Sequence, residues 1–299
     1  MKKRISNRPP ANLPGTAVLL AAMLAGPAAI AAPFTFSSGA PDGQIGTLAQ
    51  QGFDANGGGE VETADDFVLT QQTLLTGGSF TGLVVGDGDL SNVIVEFYRV
   101  FPGDSQLPPS GRVPTRENSP ADVDFASFEA VDGAFASVNA VVLQDGFSVT
   151  NSIGPDGINP IPDQTTGGDG PLSGTMAAIE FVFNEALLLE AGQYFFVPRV
   201  AFDEPGPNGD IAEFYWLSSA KPIDASGTPF DGDLQSWIRD EDLQPDWLRV
   251  GTDVIGAGAF NAAFTLDGET VDADVPLPAP VALMTLGLLG FTLRKRTAR

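Results

Sequence analysis

Met176-Ala177-Ala178-Ile179-Glu180-Phe181-Val182-Phe183 is the stretch that decides the fold class. Its bulky residues at Ile179, Phe181 and Phe183 fall at every second position, the spacing that lines one face of a strand, and Glu180 takes the opposite face. Val93-Ile94-Val95-Glu96-Phe97-Tyr98 and Tyr194-Phe195-Phe196-Val197 are nearly continuous in large apolar residues and read as strands buried on both faces. Working outward, short β-branched and aromatic runs recur at Asp66–Leu69, Ser79–Val85, Phe125–Ala130, Phe135–Leu143, Ala212–Leu217, Gln235–Ile238 and Phe260–Leu266. The 35 glycines and 24 prolines of the chain punctuate them. No convincing helix lies between the ends and no repeat of fixed period is visible, which disfavours solenoids and propellers. The expectation is an all-β, two-sheet, jelly-roll-like sandwich spanning residues 33–270. Two segments break the rhythm, Pro102–Asp122 and Asn151–Gly174. Both read as long loops, and Arg112 and Arg116 in the first are placed to pin it to an acidic surface.

The ends differ from the body. Basic Lys2, Lys3, Arg4 and Arg8 precede an apolar run from Thr16 to Gly26 and a small-residue site at Ala29-Ile30-Ala31, so residues 1–32 read as a secretory signal peptide, handled by Sec export machinery. At the other end, 271–280 is a Pro-rich linker and 281–299 a short transmembrane helix with a basic cytoplasmic tail. Pro276, Pro278 and Pro280 restrict the helix to about Val281–Leu293, roughly 20 Å at 1.5 Å per residue and short of a full bilayer span. Arg294, Lys295 and Arg296 act as a basic stop that leaves the body outside.

Val275-Pro276-Leu277-Pro278-Ala279, the Leu/Gly-rich segment and the basic cluster together resemble the VPLPA variant of the PEP-CTERM sorting tails of Gram-negative bacteria. The resemblance implies recognition by an exosortase-type membrane protease and delivery to the cell surface. A second resemblance, to a group of exported bacterial β-sandwich proteins without an established activity, covers about Glu60 to Gly268. It rests on Ala64-Asp65-Asp66-Phe67, Phe97-Tyr98-Arg99-Val100-Phe101-Pro102, Val113-Pro114-Thr115-Arg116, Gln164–Gly170, Trp237-Ile238-Arg239-Asp240, Asp246-Trp247-Leu248-Arg249 and Phe260-Asn261-Ala262-Ala263-Phe264. It implies an extracellular domain and supplies no catalytic residues.

Charge narrows the function further. All 38 acidic residues lie between Asp42 and Asp274, where only seven of the 15 basic residues face them. Such a body repels phosphate backbones, so nucleic acid is excluded as a partner, whereas free cations and a salty exterior suit it. Histidine and cysteine are both absent. That removes disulfides, the usual zinc ligands and the Ser/Cys-His nucleophile pairs.

Asp54-Ala55-Asn56-Gly57-Gly58-Gly59-Glu60, continuing to Asp65, spaces oxygen donors as a calcium loop does, with Asp54, Asn56, Glu60 and Asp65 as ligands. Asp87-Gly88-Asp89-Leu90-Ser91-Asn92 and Asp231-Gly232-Asp233 are weaker versions, and for each loop an ordinary Asp/Gly turn is the preferred reading. Trp216, Trp237 and Trp247 offer aromatic faces of the kind that stack on sugar rings, or else fill the core. Trp237 with Arg239, and Trp247 with Arg249, also suit cation–π staples. The only enzymatic chemistry left is a carboxylate pair acting on a glycoside, from Glu213, Asp240, Glu241 or Asp242. The reading is therefore a non-enzymatic, surface-sorted β-sandwich with a structural, adhesive or matrix role, with calcium and extracellular polysaccharide as candidate ligands. A lectin-like carbohydrate-binding module is the alternative, followed by a glycosidase-type enzyme.

Overall fold

The computed structural model describes residues 31–52, 59–158, 165–203, 212–220 and 235–271. Residues 1–30 and 272–299 lie outside them, and with them fall the signal segment up to Ile30, the sorting motif Val275–Ala279 and the basic stop Arg294–Arg296. Among the described residues the strands are β1 (Ala32–Ser37), β2 (Pro41–Leu48), β3 (Gln50–Gln51), β4 (Glu60–Leu69), β5 (Thr73–Val85), β6 (Leu90–Arg99), β7 (Ala126–Glu129) and β8 (Phe135–Val149). They continue with β9 (Asn151–Ile153), β10 (Leu172–Leu189), β11 (Gly192–Phe202), β12 (Glu213–Ser219), β13 (Trp237–Asp240), β14 (Leu248–Arg249), β15 (Asn261–Ala262) and β16 (Phe264–Thr270).

The Met176–Phe183 stretch is the middle of β10, and its alternation places Ile179, Phe181 and Phe183 in the core with Glu180 and Val182 exposed. On one side β10 pairs antiparallel with β5, Ile179 opposite Phe80, and on the other with β8, Ile179 opposite Ala140. They belong to a nine-stranded sheet in which β1, β16, β5, β12, β2 and β9 follow in order, with β10 and β8 branching from β5 and β15 from β12. The second sheet has seven strands in the order β14, β13, β4, β3, β11, β6, β7, with β4 also paired to β11. Both sheets are mixed, since β9 joins β2 and β3 joins β11 in parallel.

The sheets meet face to face over aromatic residues. Phe67, Phe97 and Phe196 of the smaller sheet pack against Phe80, Phe181, Phe214 and Phe264 of the larger. Phe196 stacks on Phe264 with centroids 5.0 Å apart and on Phe181 at 6.0 Å, while Phe80 meets Phe214 edge-on at 5.6 Å. Offset and edge-on pairs of this kind add to the apolar burial that drives the sandwich together. Gly82 in β5 is required by this packing, because the Phe214 ring occupies the place where a Cβ would stand.

The structure departs from the sequence reading at several elements. β1 and β2 were not expected, because Pro41-Asp42-Gly43-Gln44 looks like turn sequence. They are held by their neighbours, β1 by six consecutive pairs with β16 and β2 by Tyr215 opposite Leu48 in β12. Asn151–Gly174, read as one loop, begins with β9 and ends in β10. There the Asn151 side chain donates to Gly167 O at 2.8 Å and accepts from Gly170 N at 2.9 Å, folding the segment back on itself. β8 and β10 are also longer than expected, at 15 and 18 residues. Pro102–Asp122 is a loop as expected, carrying a single bridge between Val100 and Pro120.

Candidate functional site: a charge network beneath the long loop

Alternation in the smaller sheet sends Phe67, Phe97 and Phe196 inward and their neighbours outward. Glu60 and Glu62 of β4, Glu96 and Tyr98 of β6, Arg199 of β11 and Arg239 of β13 consequently share the outer face. That face is not in water. Glu62, Glu96, Tyr98, Arg199 and Arg239 are all buried.

Each of these five buried groups has a partner in the cluster, as burial demands. Arg239 Nε bonds Glu62, and its Nη2 donates to the Tyr98 hydroxyl at 3.1 Å. Its Nη1 reaches the carbonyls of Asp122 at 3.1 Å and Pro245 at 3.3 Å, and its guanidinium lies 4.2 Å from the Trp247 ring centroid. Arg199 pairs with Glu60, with Glu96 at 2.5 Å and with Glu62 at 3.6 Å. Tyr98 Oη lies 3.1 Å from both Glu62 Oε1 and Glu96 Oε2. One phenolic proton serves only one carboxylate, so the second contact calls for a proton on a carboxyl group. Burial, the Glu62 charge and the Asp124 charge push Glu96 up to about 8, making it the group that carries that proton at neutral pH. Burial and the nearby Arg239 charge lower Arg199 to about 10. Burial opposes the Arg239 charge as well, but Glu62, Tyr98 and Glu96 hold it above its ordinary value.

The long loop covers this face, and Arg116 ties it down. Its Nη1 bonds Asp246 Oδ1 at 2.8 Å and its Nη2 lies 3.0 Å from Asp122 Oδ1. Further bonds run from Nε to Ser119 Oγ at 2.9 Å and from Nη2 to Pro120 O at 3.0 Å, with the guanidinium 4.7 Å from the Phe101 ring. Ser110 bonds Asp246 from the same loop, Arg112 donates to Gln244 O at 2.8 Å, and Trp247 Nε1 donates to Ala121 O at 3.0 Å. Both arginines pin the loop as read, but only Arg116 does so through carboxylates, Arg112 meeting a backbone carbonyl. A depression of about 750 Å³ remains at the loop surface, bordered by Asp104, Gln106, Asp122 and Gln244.

Asp65 and Asp66 are a separate buried pair, one on each face of β4. Asp65 Oδ2 accepts from Ala262 N at 2.7 Å, tying the smaller sheet to β15 of the larger. Burial and the adjacent Asp66 charge raise Asp65 well above the usual carboxylate range. Burial raises Asp66 to about 7, and neither of its carboxyl oxygens has a hydrogen-bond partner.

The expected ligand residues are distributed differently. Asp54 and Asn56 lie outside the described residues, as does Asp231-Gly232-Asp233. Glu60 and Asp65 point to opposite faces of β4, Glu60 toward Arg199 and Asp65 toward Ala262, so the two do not converge on one ion. In the Asp87–Asn92 turn, Asn92 faces away, donating to Glu129 at 3.4 Å and accepting from Val131 N at 3.2 Å. Among the described residues no three acidic side chains are grouped to hold a metal ion. Trp216, Trp237 and Trp247 are each fully buried and offer no face to a sugar. Trp216 Nε1 instead donates to Ala263 O at 2.9 Å. The cation on the Trp247 ring is Arg239, while Arg249 pairs with Asp253 at 3.0 Å. Asp240 accepts from Leu243 N at 2.9 Å within its own turn, and Glu213 accepts from the Tyr215 hydroxyl at 2.9 Å on a different sheet.

Sequence reasoning passed over Glu62, Glu96 and Arg199, the centre of the network. The signal was present: a single charge inside an otherwise apolar strand, as Glu96 in Val93–Tyr98 or Arg199 after Tyr194–Pro198, implies a buried opposite charge on an adjacent strand. No family model, curated protein or solved structure matches the chain.

Proposed function

We propose that the chain is an exported, surface-sorted acidic β-sandwich of jelly-roll type with a structural, adhesive or extracellular-matrix role, and not an enzyme. The observation that carries this reading is the use of the cations. Arg99, Arg112, Arg116, Arg199, Arg239 and Arg249 all bond to groups of the body itself. Lys221, the one other basic residue between Arg8 and Arg294, lies outside the described residues. Of those arginines only Arg99 is exposed, beside Asp104, so the described exterior is left mainly to the carboxylates, a surface that stays hydrated and dispersed in a salty medium and that extracellular cations bridge to anionic polysaccharide.

The Val275–Ala279 motif and the Arg294–Arg296 cluster supply the address: export by Sec machinery, transient anchoring in the inner membrane, and processing by an exosortase-type protease. Mass spectrometry of the protein from its own cells tests this. A mature chain that begins near Pro33 and lacks everything beyond Ala279 is expected. An intact Arg299 in the membrane fraction would replace the sorting reading with a plain tail anchor.

A further inference from the structure

From Asn139 to Gly146 every residue of β8 is exposed, although β8 belongs to the larger sheet. Its partner on one side is β10, and among the described residues no strand pairs with its other edge. The smaller sheet stops short of it, so its inward-facing Val142 is 62% exposed at the mouth of a depression of about 620 Å³ floored by Ala177, Ile179 and Phe214. Val141 and Leu143 are exposed as well.

A free edge of this length is normally guarded by lysine, proline or a bulge. β8 has none of these where it matters. Gly133–Gln144 contains no charged residue and no proline, and Ser137–Val142 pairs with β10 without a register break. The rest of the body carries a large acidic excess, so two copies repel each other over most orientations. Approach along this uncharged strip lessens that repulsion, although exposed Glu180 of β10, opposite Asn139, stays on its flank. A strand edge paired antiparallel is also self-complementary, which is the geometry of a two-fold dimer.

We propose that β8 is a self-association edge, pairing antiparallel with β8 of a second copy about a two-fold axis at Asn139 or Ala140. Either centre keeps the paired stretch within the uncharged, regular Ser137–Val142 segment, with Asp132 in the turn before β8 and Asp145 beyond the register shift at its other end. The two larger sheets become one continuous sheet, and the rows of half-buried Val138 and exposed Ala140 and Val142 lie side by side over the two depressions. This inference rests on the structural reading above and names its partner, a second copy of the same chain.

The absence of cysteine makes the test clean. Single variants Asn139→Cys, Ala140→Cys, Val142→Cys and Leu188→Cys of the full chain, held in mild detergent, are oxidised and resolved without reductant. Wild-type protein is sized in parallel by sedimentation over a dilution series. A residue on the axis faces its own copy about 5 Å away, within reach of a disulfide, whereas Val142 would be four residues (about 14 Å) from its counterpart for an Ala140 axis and six (about 20 Å) for an Asn139 axis. The expected result is a wild-type dimer, cross-linking at Asn139→Cys or Ala140→Cys, and little at Val142→Cys or Leu188→Cys. Val142→Asp should weaken association at least tenfold while leaving the melting temperature of the monomer unchanged. A wild-type chain that stays monomeric, or equal cross-linking at Leu188→Cys, overturns the inference. The mass-spectrometric result on sorting stands apart from either outcome.

Discussion

Replacing Arg116 with leucine should be among the most damaging single changes available in the long loop. The guanidinium is almost wholly buried and faces Asp246 at 2.8 Å and Asp122 at 3.0 Å, of which Asp246 has no solvent exposure at all. Leucine fills part of the space but leaves the Asp246 carboxylate in the interior with only the Ser110 hydroxyl beside it. Removing one member of a buried ion pair typically costs about 3–5 kcal/mol, because the remaining charge keeps its desolvation penalty and loses its compensation. Loss of the contact with the Phe101 ring, about 1 kcal/mol, falls within that range. Urea denaturation followed by tryptophan fluorescence reads the effect directly, since Trp216, Trp237 and Trp247 are buried in the fold and become exposed on unfolding. Pairing Arg116→Leu with Asp246→Asn removes the orphaned charge and should recover about half of the loss or more, a coupling that a merely steric defect would not produce. If Arg116→Leu costs less than about 1 kcal/mol, or if the double variant is no more stable than the single one, the loop is not held as described.

Asp65, Asp66 and Glu96 make a prediction about pH. Burial raises all three, Asp66 to about 7 and Glu96 to about 8, so the fold keeps protons that the unfolded chain releases near pH 4. Stability from these groups is therefore full below about pH 4 and declines as pH rises through 7 to 8. Asp66→Asn should flatten that decline and stabilise the protein at pH 8, and a slope identical to wild type in chemical denaturation at several pH values would contradict it. Gly82→Ala should destabilise by about 1–3 kcal/mol, because the new methyl group collides with the Phe214 ring. A thermal melt unchanged from wild type would show that the ring has room to move. Trp247→Phe keeps most of the apolar volume but removes the donor to Ala121 O, leaving that carbonyl unpaired beneath the loop. A loss of about 1–2 kcal/mol is expected, and hydrogen exchange should show it concentrated in residues 100–124.

How much of this was legible in the sequence differs between apolar and polar residues. Ile179, Phe181 and Phe183 announce a strand and a buried face by spacing alone, because hydrophobic burial is additive and the strand period is fixed. The same logic marks Val93–Tyr98 and Tyr194–Val197. Pro41–Leu48 gave no such signal, since a Gly- and Asp-containing segment becomes a strand only when β12 and β9 are already there to pair with it. Polar pairing is less local still. Arg239 and Glu62 are 177 residues apart, and Arg116 and Asp246 are 130 apart. No spacing rule links them, and only the arrangement of strands and loop brings them together.

That arrangement also links the interior to the exterior. An Arg–carboxylate network buried on the outer face of a sheet contributes little net stability over an apolar packing of the same volume, because both partners must give up water. It does hold one loop conformation rather than many, since each guanidinium is met by acceptors from several elements: Arg239 by β4, β6, the loop and the β13–β14 turn, and Arg116 by the loop and Asp246. The consequence outside follows from charge balance. With Arg116, Arg199 and Arg239 buried and the other described arginines bonded to the body itself, carboxylates dominate the described surface, and mutual repulsion between copies is the general rule. An interaction surface on such a molecule has to be a place where charge is missing. The uncharged Phe135–Gln144 part of β8, unpaired along its outer edge among the described residues, is the place proposed for it, and losing a single methyl group there should matter less to association than gaining a single carboxylate.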